Sequence, residues 1–353
     1  MPLRTAVTEL LGIEHPILQS PMASAATPAL AAAVSEAGGL GALGSSILPA
    51  GELRSQTAEL RQRTERPFQL NFFCHPEPEI GAEAAAAARE RFAGIYGELG
   101  LGEPPEPSVP PIGFDEQRLA ALLELRPPVA SFHFGLPEPA ALAELRGAGI
   151  VVLGSATTVA EATWLEERGA DAVVAQGAEA GGHRGSFLVE GDDGPVGTLA
   201  LVPQVVDAVG VPVIAAGGIA DGRGLAAALA LGAGAAQIGT AFLPCPESGI
   251  APVYREALRQ ARAEATTITR AFSGRPARAL RNRVTDELEG VLPYPAQMSL
   301  TGPLREVEPD GDPGAFHPMW SGQGAALALE APAAEVVVSI AGGAERVLES
   351  LRN

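Results

Sequence analysis

Eight short apolar runs that alternate with Ala-, Leu- and Glu-rich segments predict an α/β protein, a parallel (β/α)8 barrel of the TIM type. Three observations carry this expectation. The runs are continuously apolar, as in strands buried on both faces. The segments between them open on cap residues (Thr27-Pro28, Thr158, Asp221) and close on glycines (Gly38, Gly147, Gly169, Gly232). Polar side chains and glycines gather at the C-terminal ends of the runs, the functional face of such a barrel. Strand count alone leaves an open doubly wound sheet as the alternative.

In chain order the expected strands are Pro16–Met22, Leu40–Gly44, Phe68–Phe73, Val129–Phe134, Ile150–Gly154, Ala172–Gln176, Val211–Ala216 and Ala235–Gly239. The expected helices are Pro28–Ala37, Gly51–Gln62, Asp115–Leu125, Pro137–Arg146, Val159–Arg168, Leu199–Ala208 and Gly222–Leu231. Two insertions break the alternation. Residues 76–113 hold an Ala-rich helix, Gly81–Leu99, and the proline-rich Gly102–Pro111. Residues 244–319 are helical at first, over Ala251–Glu264, then irregular, and Glu335–Leu351 reads as a closing helix. The expected organisation is a barrel domain over 1–243, a substrate-capping insertion over 244–319 and a segment, 320–353, that returns to the barrel. A Gly-x-Gly-x-x-Gly match at Gly39–Gly44 follows a helix and overlaps a strand, the wrong context for a dinucleotide turn.

With 353 residues, 46% of them hydrophobic, the chain can bury a large core. Its 42 acidic and 24 basic residues give a net charge of −18, and every basic residue is arginine. That balance argues against nucleic acid or an anionic membrane as a partner, and the lack of lysine excludes Schiff-base chemistry. A phosphate would have to rest on backbone N–H groups or arginine. Cys74 and Cys245 form neither a disulfide framework nor a metal pattern, so the expectation is a cytoplasmic protein without a metal site. Met1–Leu11 carries no signal-peptide pattern, and no run is long enough to span a membrane.

The most informative stretch is Ala175-Gln176-Gly177-Ala178-Glu179-Ala180-Gly181-Gly182-His183-Arg184-Gly185, a strand end leading into a glycine-dense loop with one histidine. Glycines allow close backbone approach to a ligand, and imidazole transfers protons near neutrality. Gly217-Gly218 and Gly239-Thr240 follow the last two strands, where this fold places a phosphate. With Asn71, Gln176 and Gln237 as ring-edge amides, a flavin phosphate and isoalloxazine fit. His133, at a strand's C-terminal end, is expected to touch substrate or flavin. His75 is a weaker candidate, while His15 and His317 read as loop and structural residues. Arg275 and Arg278 read as ordering the second insertion. Cys74 reads as a buried small residue, and Glu179 as either a supporting partner or a solvated charge.

Taken together, Gln19-Ser20-Pro21-Met22-Ala23, Asn71-Phe72-Phe73-Cys74-His75, Gly177–Gly185, Ala215-Ala216-Gly217-Gly218-Ile219 and Gln237-Ile238-Gly239-Thr240 resemble the nitronate monooxygenase family. Phe272–Arg278, Pro293-Tyr294-Pro295 and Trp320-Ser321-Gly322-Gln323 resemble its class I branch. The likeness runs in order along nearly the whole chain, apart from residues 77–111. It implies an FMN-dependent enzyme that oxidises alkyl nitronates, such as propionate 3-nitronate, with O2 to a carbonyl product and nitrite, without NAD(P)H. It places FMN contacts on Pro21, Met22, Ala23, Asn71, Gln176, Gly181, Gly182, Gly217, Gly218, Gln237, Ile238, Gly239 and Thr240. It makes His183 the catalytic residue and puts Tyr294 at the substrate. His183 would either remove the α-proton of a neutral nitroalkane or, as imidazolium, steady the nitronate. Two other readings are an NAD(P)H-dependent FMN reductase of enoyl thioesters or quinones, and a non-catalytic flavin binder.

Overall fold

The computed structural model describes residues 3–188, 195–307, 309 and 311–352. The expected domain ranges at residues 1, 2, 189–194, 308, 310 and 353 therefore lie outside the described residues.

All eight expected strands form: β1 (Ile17–Gln19), β2 (Gly41–Gly44), β3 (Phe68–Phe73), β4 (Val129–His133), β5 (Val151–Ala156), β6 (Ala172–Gln176), β8 (Val213–Ala216) and β9 (Ala235–Ile238). The two-residue β7 (Gly182–His183) belongs to a second sheet with β10 (Thr266–Thr269) and β11 (Ala277–Leu280). The large sheet is parallel, in the order β1-β9-β8-β6-β5-β4-β3-β2. Leu18 of β1 bridges Leu40 in parallel, at the entry to β2, so the two ends of the sheet meet. That contact makes the sheet a (β/α)8 barrel and sets aside the open sheet.

Side chains of one parity point inward along each strand. From the N-terminal end upward they read Val129-Ser131-His133, Leu153-Ser155, Ala172-Val174-Gln176 and Ala235-Gln237. The lower, apolar members form one cluster with Val7 and Leu11. Those two come from a helix, Ala6–Leu11, that the sequence reading missed. Its Thr5 and Thr8 side chains cap it reciprocally, and Thr5 Oγ1 donates to the Gly234 carbonyl at 2.6 Å. The barrel is thus plugged with hydrocarbon at one end and lined with polar groups at the other.

Thr27, Thr158 and Asp221 cap their helices as expected. Gly38, Gly169 and Gly232 adopt positive φ after theirs. Gly147 does not: the helix Pro139–Gly147 includes it, and Gly149 supplies the left-handed residue. The expected helix Ala251–Glu264 stops at Gln260. Gly41 explains the misleading glycine motif, because a Cβ there would lie 2.0 Å from the Ala31 carbonyl oxygen. The glycine lets the helix Pro28–Glu36 lie directly on β2.

The first insertion's helix, Ala82–Glu98, and the second insertion share one apolar core. Phe92, Ile95 and Tyr96 pack with Phe272, Leu292, Leu300, Leu304 and Phe316. Tyr96 donates from its hydroxyl to the Leu300 carbonyl at 2.8 Å. The two insertions therefore build a single cap. The last helix, Ala333–Ser350, packs against the strand-facing cluster of Ile17, Leu30, Leu225 and Ile238. No described helix is long and apolar enough to cross a membrane.

Gly41→Ala is expected to destabilise the fold by at least about 2 kcal/mol, since backbone must move to admit the methyl group. Gly51→Ala, where nothing lies within 4 Å, is expected to be neutral or to stabilise by up to about 1 kcal/mol. Denaturant midpoints of the two variants check this.

Candidate active site

The polar end of the barrel opens into a cavity of about 490 Å3, within the range of small-molecule and cofactor sites. Fifteen of the sixteen expected site residues line it: Pro21, Met22, Ala23, Asn71, His133, Gln176, Gly181, Gly182, His183, Gly217, Gly218, Gln237, Gly239, Thr240 and Tyr294. Ile238 does not. Its parity turns its side chain outward into the helix layer, and its carbonyl accepts from the Ser20 N–H at 2.7 Å.

His183 is fixed from several sides. As part of β7 it pairs with Ala277 of β11, and Gly182 pairs with Arg278. Its carbonyl accepts from Gln176 Nε2 at 2.9 Å and from His133 Nε2 at 3.1 Å. Gln176 also accepts from the Gly185 N–H at 2.8 Å, so its amide braces the loop 183–185. The expected ring-edge role for Gln176 and the expected substrate contact of His133 are thus joined by a bracing role that sequence could not disclose. His183 Nε2 shares a hydrogen bond with Ser273 Oγ on the cap at 2.8 Å.

Aromatic rings surround this imidazole. Trp320 and Tyr294 lie at 5.2 Å and 5.3 Å between centroids, and Phe134 and Phe73 at 6.1 Å and 6.3 Å. The ring keeps access only to the cavity, and desolvation pushes its pKa down to about 3. The neighbouring His133, Arg275, Arg305 and His75 push in the same direction. His133 is likewise held at about 4, chiefly by burial. Both histidines are therefore neutral near pH 7, and His183 stands as a proton acceptor. Burial raises the Tyr294 pKa, so its hydroxyl remains a neutral donor.

At the end of the neighbouring strand β8, Gly217 and Gly218 adopt φ of 113° and 71°, conformations that favour glycine. A Cβ on Gly217 would come within 3.0 Å of the Ala180 nitrogen and 2.9 Å of Thr198 Oγ1. Among the described residues, the N–H groups of Gly217, Gly218 and Gly239 donate to no protein acceptor. Unsatisfied donors on glycine turns suit an anion. The Glu179 carboxylate, which borders these glycines, accepts from the Thr198 N–H and hydroxyl at 2.9–3.0 Å. That settles Glu179 as a supporting partner. Asn71 donates to the Ser131 carbonyl at 3.1 Å and to its hydroxyl at 3.0 Å, leaving its amide oxygen for a ligand.

Other expectations find their places. His75 stands outside the cavity lining, edge-on to Tyr294 at 4.9 Å, and donates from Nδ1 to the Pro76 carbonyl at 3.0 Å. Arg275 lies 3.8 Å over the Phe134 ring and Arg278 donates to the Ala178 carbonyl at 2.9 Å, so both tie the cap to the barrel. Burial pushes the Cys74 thiol pKa up, which suits a packing residue rather than a nucleophile. His317, read as structural, lines the cavity instead. The sequence reading did not single out Ser273, Trp320, Tyr254 or Arg305 as individual site residues, although the first two stand in motifs it quoted. Their distance along the chain from the barrel turns hides their convergence.

Comparison with known proteins bears on the chemistry. The nitronate monooxygenase family model matches residues 4–343. A nitronate monooxygenase from Pseudomonas aeruginosa is 46% identical over 337 residues, 94% of this chain and 96% of that protein. One from Paraburkholderia phytofirmans is 43% identical over 99% of this chain and 97% of its own length. Among solved structures, a nitroalkane oxidase from Streptomyces ansochromogenes superimposes with a TM-score of 0.90 at 40% identity, covering 98% of this chain and 100% of that one.

The neutral histidines contribute to the acid sensitivity of the fold. An unfolded imidazole titrates near 6.5, whereas His133 and His183 resist protonation to about 4 and about 3. Below about pH 6.5 the unfolded chain binds protons that the folded chain refuses. Their contribution is thus complete above that pH and falls as the solution is acidified toward pH 4. The melting temperature is expected to drop by at least about 5 °C between pH 7.5 and pH 4.5. His133→Asn is expected to start less stable at pH 7.5 and to lose less over the same window, as read by circular dichroism.

Proposed function

Since the chain belongs to the nitronate monooxygenase family, we propose that it oxidises alkyl nitronates, propionate 3-nitronate among them, with O2 to a carbonyl product and nitrite, using FMN and no NAD(P)H. That it is an oxidoreductase follows from its relatives; the cofactor, oxidant and hydride independence are the proposal. The observation that carries the reading is a neutral, desolvated His183 at a cavity that also offers unpartnered glycine amides.

Gly217, Gly218, Gly239 and Thr240 would hold the FMN phosphate through backbone N–H groups, in a chain with no lysine to do so. Met22, Asn71, Gln176 and Gln237 would border the ring system. When bound, FMN supplies the electron acceptor that no protein side chain here can provide. His183, neutral near pH 7, takes the α-proton of a nitroalkane, and Ser273 and the doubly held carbonyl keep its ring oriented. Its neutral state favours the base role over the imidazolium role. Trp320, Tyr294, Phe73 and Phe134 exclude water from the reacting pair.

Flavin-loaded protein is expected to release nitrite from propionate 3-nitronate in air without NAD(P)H. Absence of nitrite together with anaerobic bleaching of the flavin by NADH would replace this reading with that of a reductase. His183→Asn is expected to lose about 100-fold or more in turnover of a neutral nitroalkane, and far less with the preformed nitronate, which needs no deprotonation. Equal losses on both substrates would contradict the base role.

A further inference from the structure

Seven buried side-chain polar atoms among the described residues lack a hydrogen-bond partner, and two of them belong to residues lining the cavity: Arg305 Nε and His317 Nε2. Both stand on the cap. Arg305 lies in the short turn Pro303–Glu306, beside Leu304, which is anchored in the cap core. It differs from Arg259 and Arg283, each of which pairs with carboxylates. It also differs from Arg275, which covers the Phe134 ring and donates to the Ser186 carbonyl. Among the described residues no acidic side chain meets Arg305, and burial shifts its pKa downward.

A guanidinium held out of water without a counter-ion is costly, and a complementary anion removes that cost. The setting makes such a cation useful. A chain of net charge −18 repels an approaching anion, so an anionic substrate needs a local positive charge inside the cavity. Arg305 makes no hydrogen bond with His183, yet its charge reaches the imidazole. The aromatic rings, not Arg305, form the immediate shell of His183. Arg305 and His183 thus line one cavity without bonding to each other, which leaves room between them for a short substrate.

We propose that Arg305, with His317 lining the same cavity, anchors a carboxylate at the other end of the substrate and selects carboxylate-bearing nitronates over plain alkyl nitronates. The guanidinium can meet both carboxylate oxygens at once, which gives direction as well as attraction. The inference takes the identity of the reacting end from the proposed nitronate chemistry.

The test compares propionate 3-nitronate with propyl 1-nitronate on flavin-loaded wild type, Arg305→Met and Arg305→Lys. Arg305→Met is expected to raise KM for propionate 3-nitronate about tenfold or more while kcat, and both constants for propyl 1-nitronate, stay within about twofold. Arg305→Lys should recover part of the loss. Equal effects on the two substrates, or no effect on either, would overturn the assignment. Calorimetric titration with butyrate and with butan-1-ol, which carry no nitro group to react, reads the same preference without turnover. If wild type prefers the carboxylate and Arg305→Met abolishes the preference while no nitrite ever forms, Arg305 keeps its role and the nitronate chemistry falls. If wild type shows no preference, the Arg305 proposal falls whatever the activity. Should Arg305→Met not fold, Arg305→Gln takes its place in both measurements.

Discussion

The site depends on the pairing of Gly182–His183 with Ala277–Arg278. A two-residue segment has too few hydrogen bonds to hold itself extended, and here it gains an antiparallel partner from the cap. The Arg184 N–H donates to the Pro276 carbonyl at 2.8 Å and extends the same join. From below, Gln176 and His133 grip the His183 carbonyl. The imidazole is therefore placed by the barrel and the cap together. A cap that opened would release the backbone of the loop 183–185 as well as expose the cavity.

Charge organises the rest. An arginine-only protein of net charge −18 sets its cations mostly on the surface, in carboxylate pairs such as Arg54–Glu124 and Arg259–Glu330, whose exposure limits what each contributes. Around the cavity the pattern changes. Arg275, Arg278 and Arg305 are half-buried or deeper, and each has its pKa lowered by desolvation. Burial, with Arg275 and Arg305 beside it, keeps His183 neutral, and burial with Arg275 and Arg184 does the same for His133. The same field that lowers the basicity of His183 attracts an anion, and the anion in turn relieves the field. Under the proposed chemistry, that exchange would couple substrate charge to proton transfer.

Much of this was legible in the sequence because it is local. Eight apolar strands, their helix caps and the turns at Gly217-Gly218 and Gly239-Thr240 are each written within a few residues. What escaped is non-local or short. The helix Ala6–Leu11 is too brief for periodicity to reveal, and only the Thr5/Thr8 pair marks it. The pairing of β7 with β11 joins segments about ninety residues apart, which no pattern in either discloses. The shared core of the two insertions, with Tyr96 reaching Leu300, escaped for the same reason. Ile238 was placed with the cofactor residues because it stands between Gln237 and Gly239, but strand parity turns it away. Glu179 and Gln176 are ambiguous in one dimension, and become specific once Thr198 and the loop 183–185 come to meet them.

The neutral state of His183 is the point at which fold, cap and proposed chemistry meet, and it can be observed directly. With only five histidines in the chain, nitrogen-15 NMR of selectively labelled imidazoles resolves each ring's protonation. The account predicts that His183 keeps the shifts of a neutral ring, one nitrogen protonated, from about pH 8 to about pH 5. A titration centred near the ordinary imidazole value would contradict it, because it would mean that water reaches the ring and that the cap does not hold it.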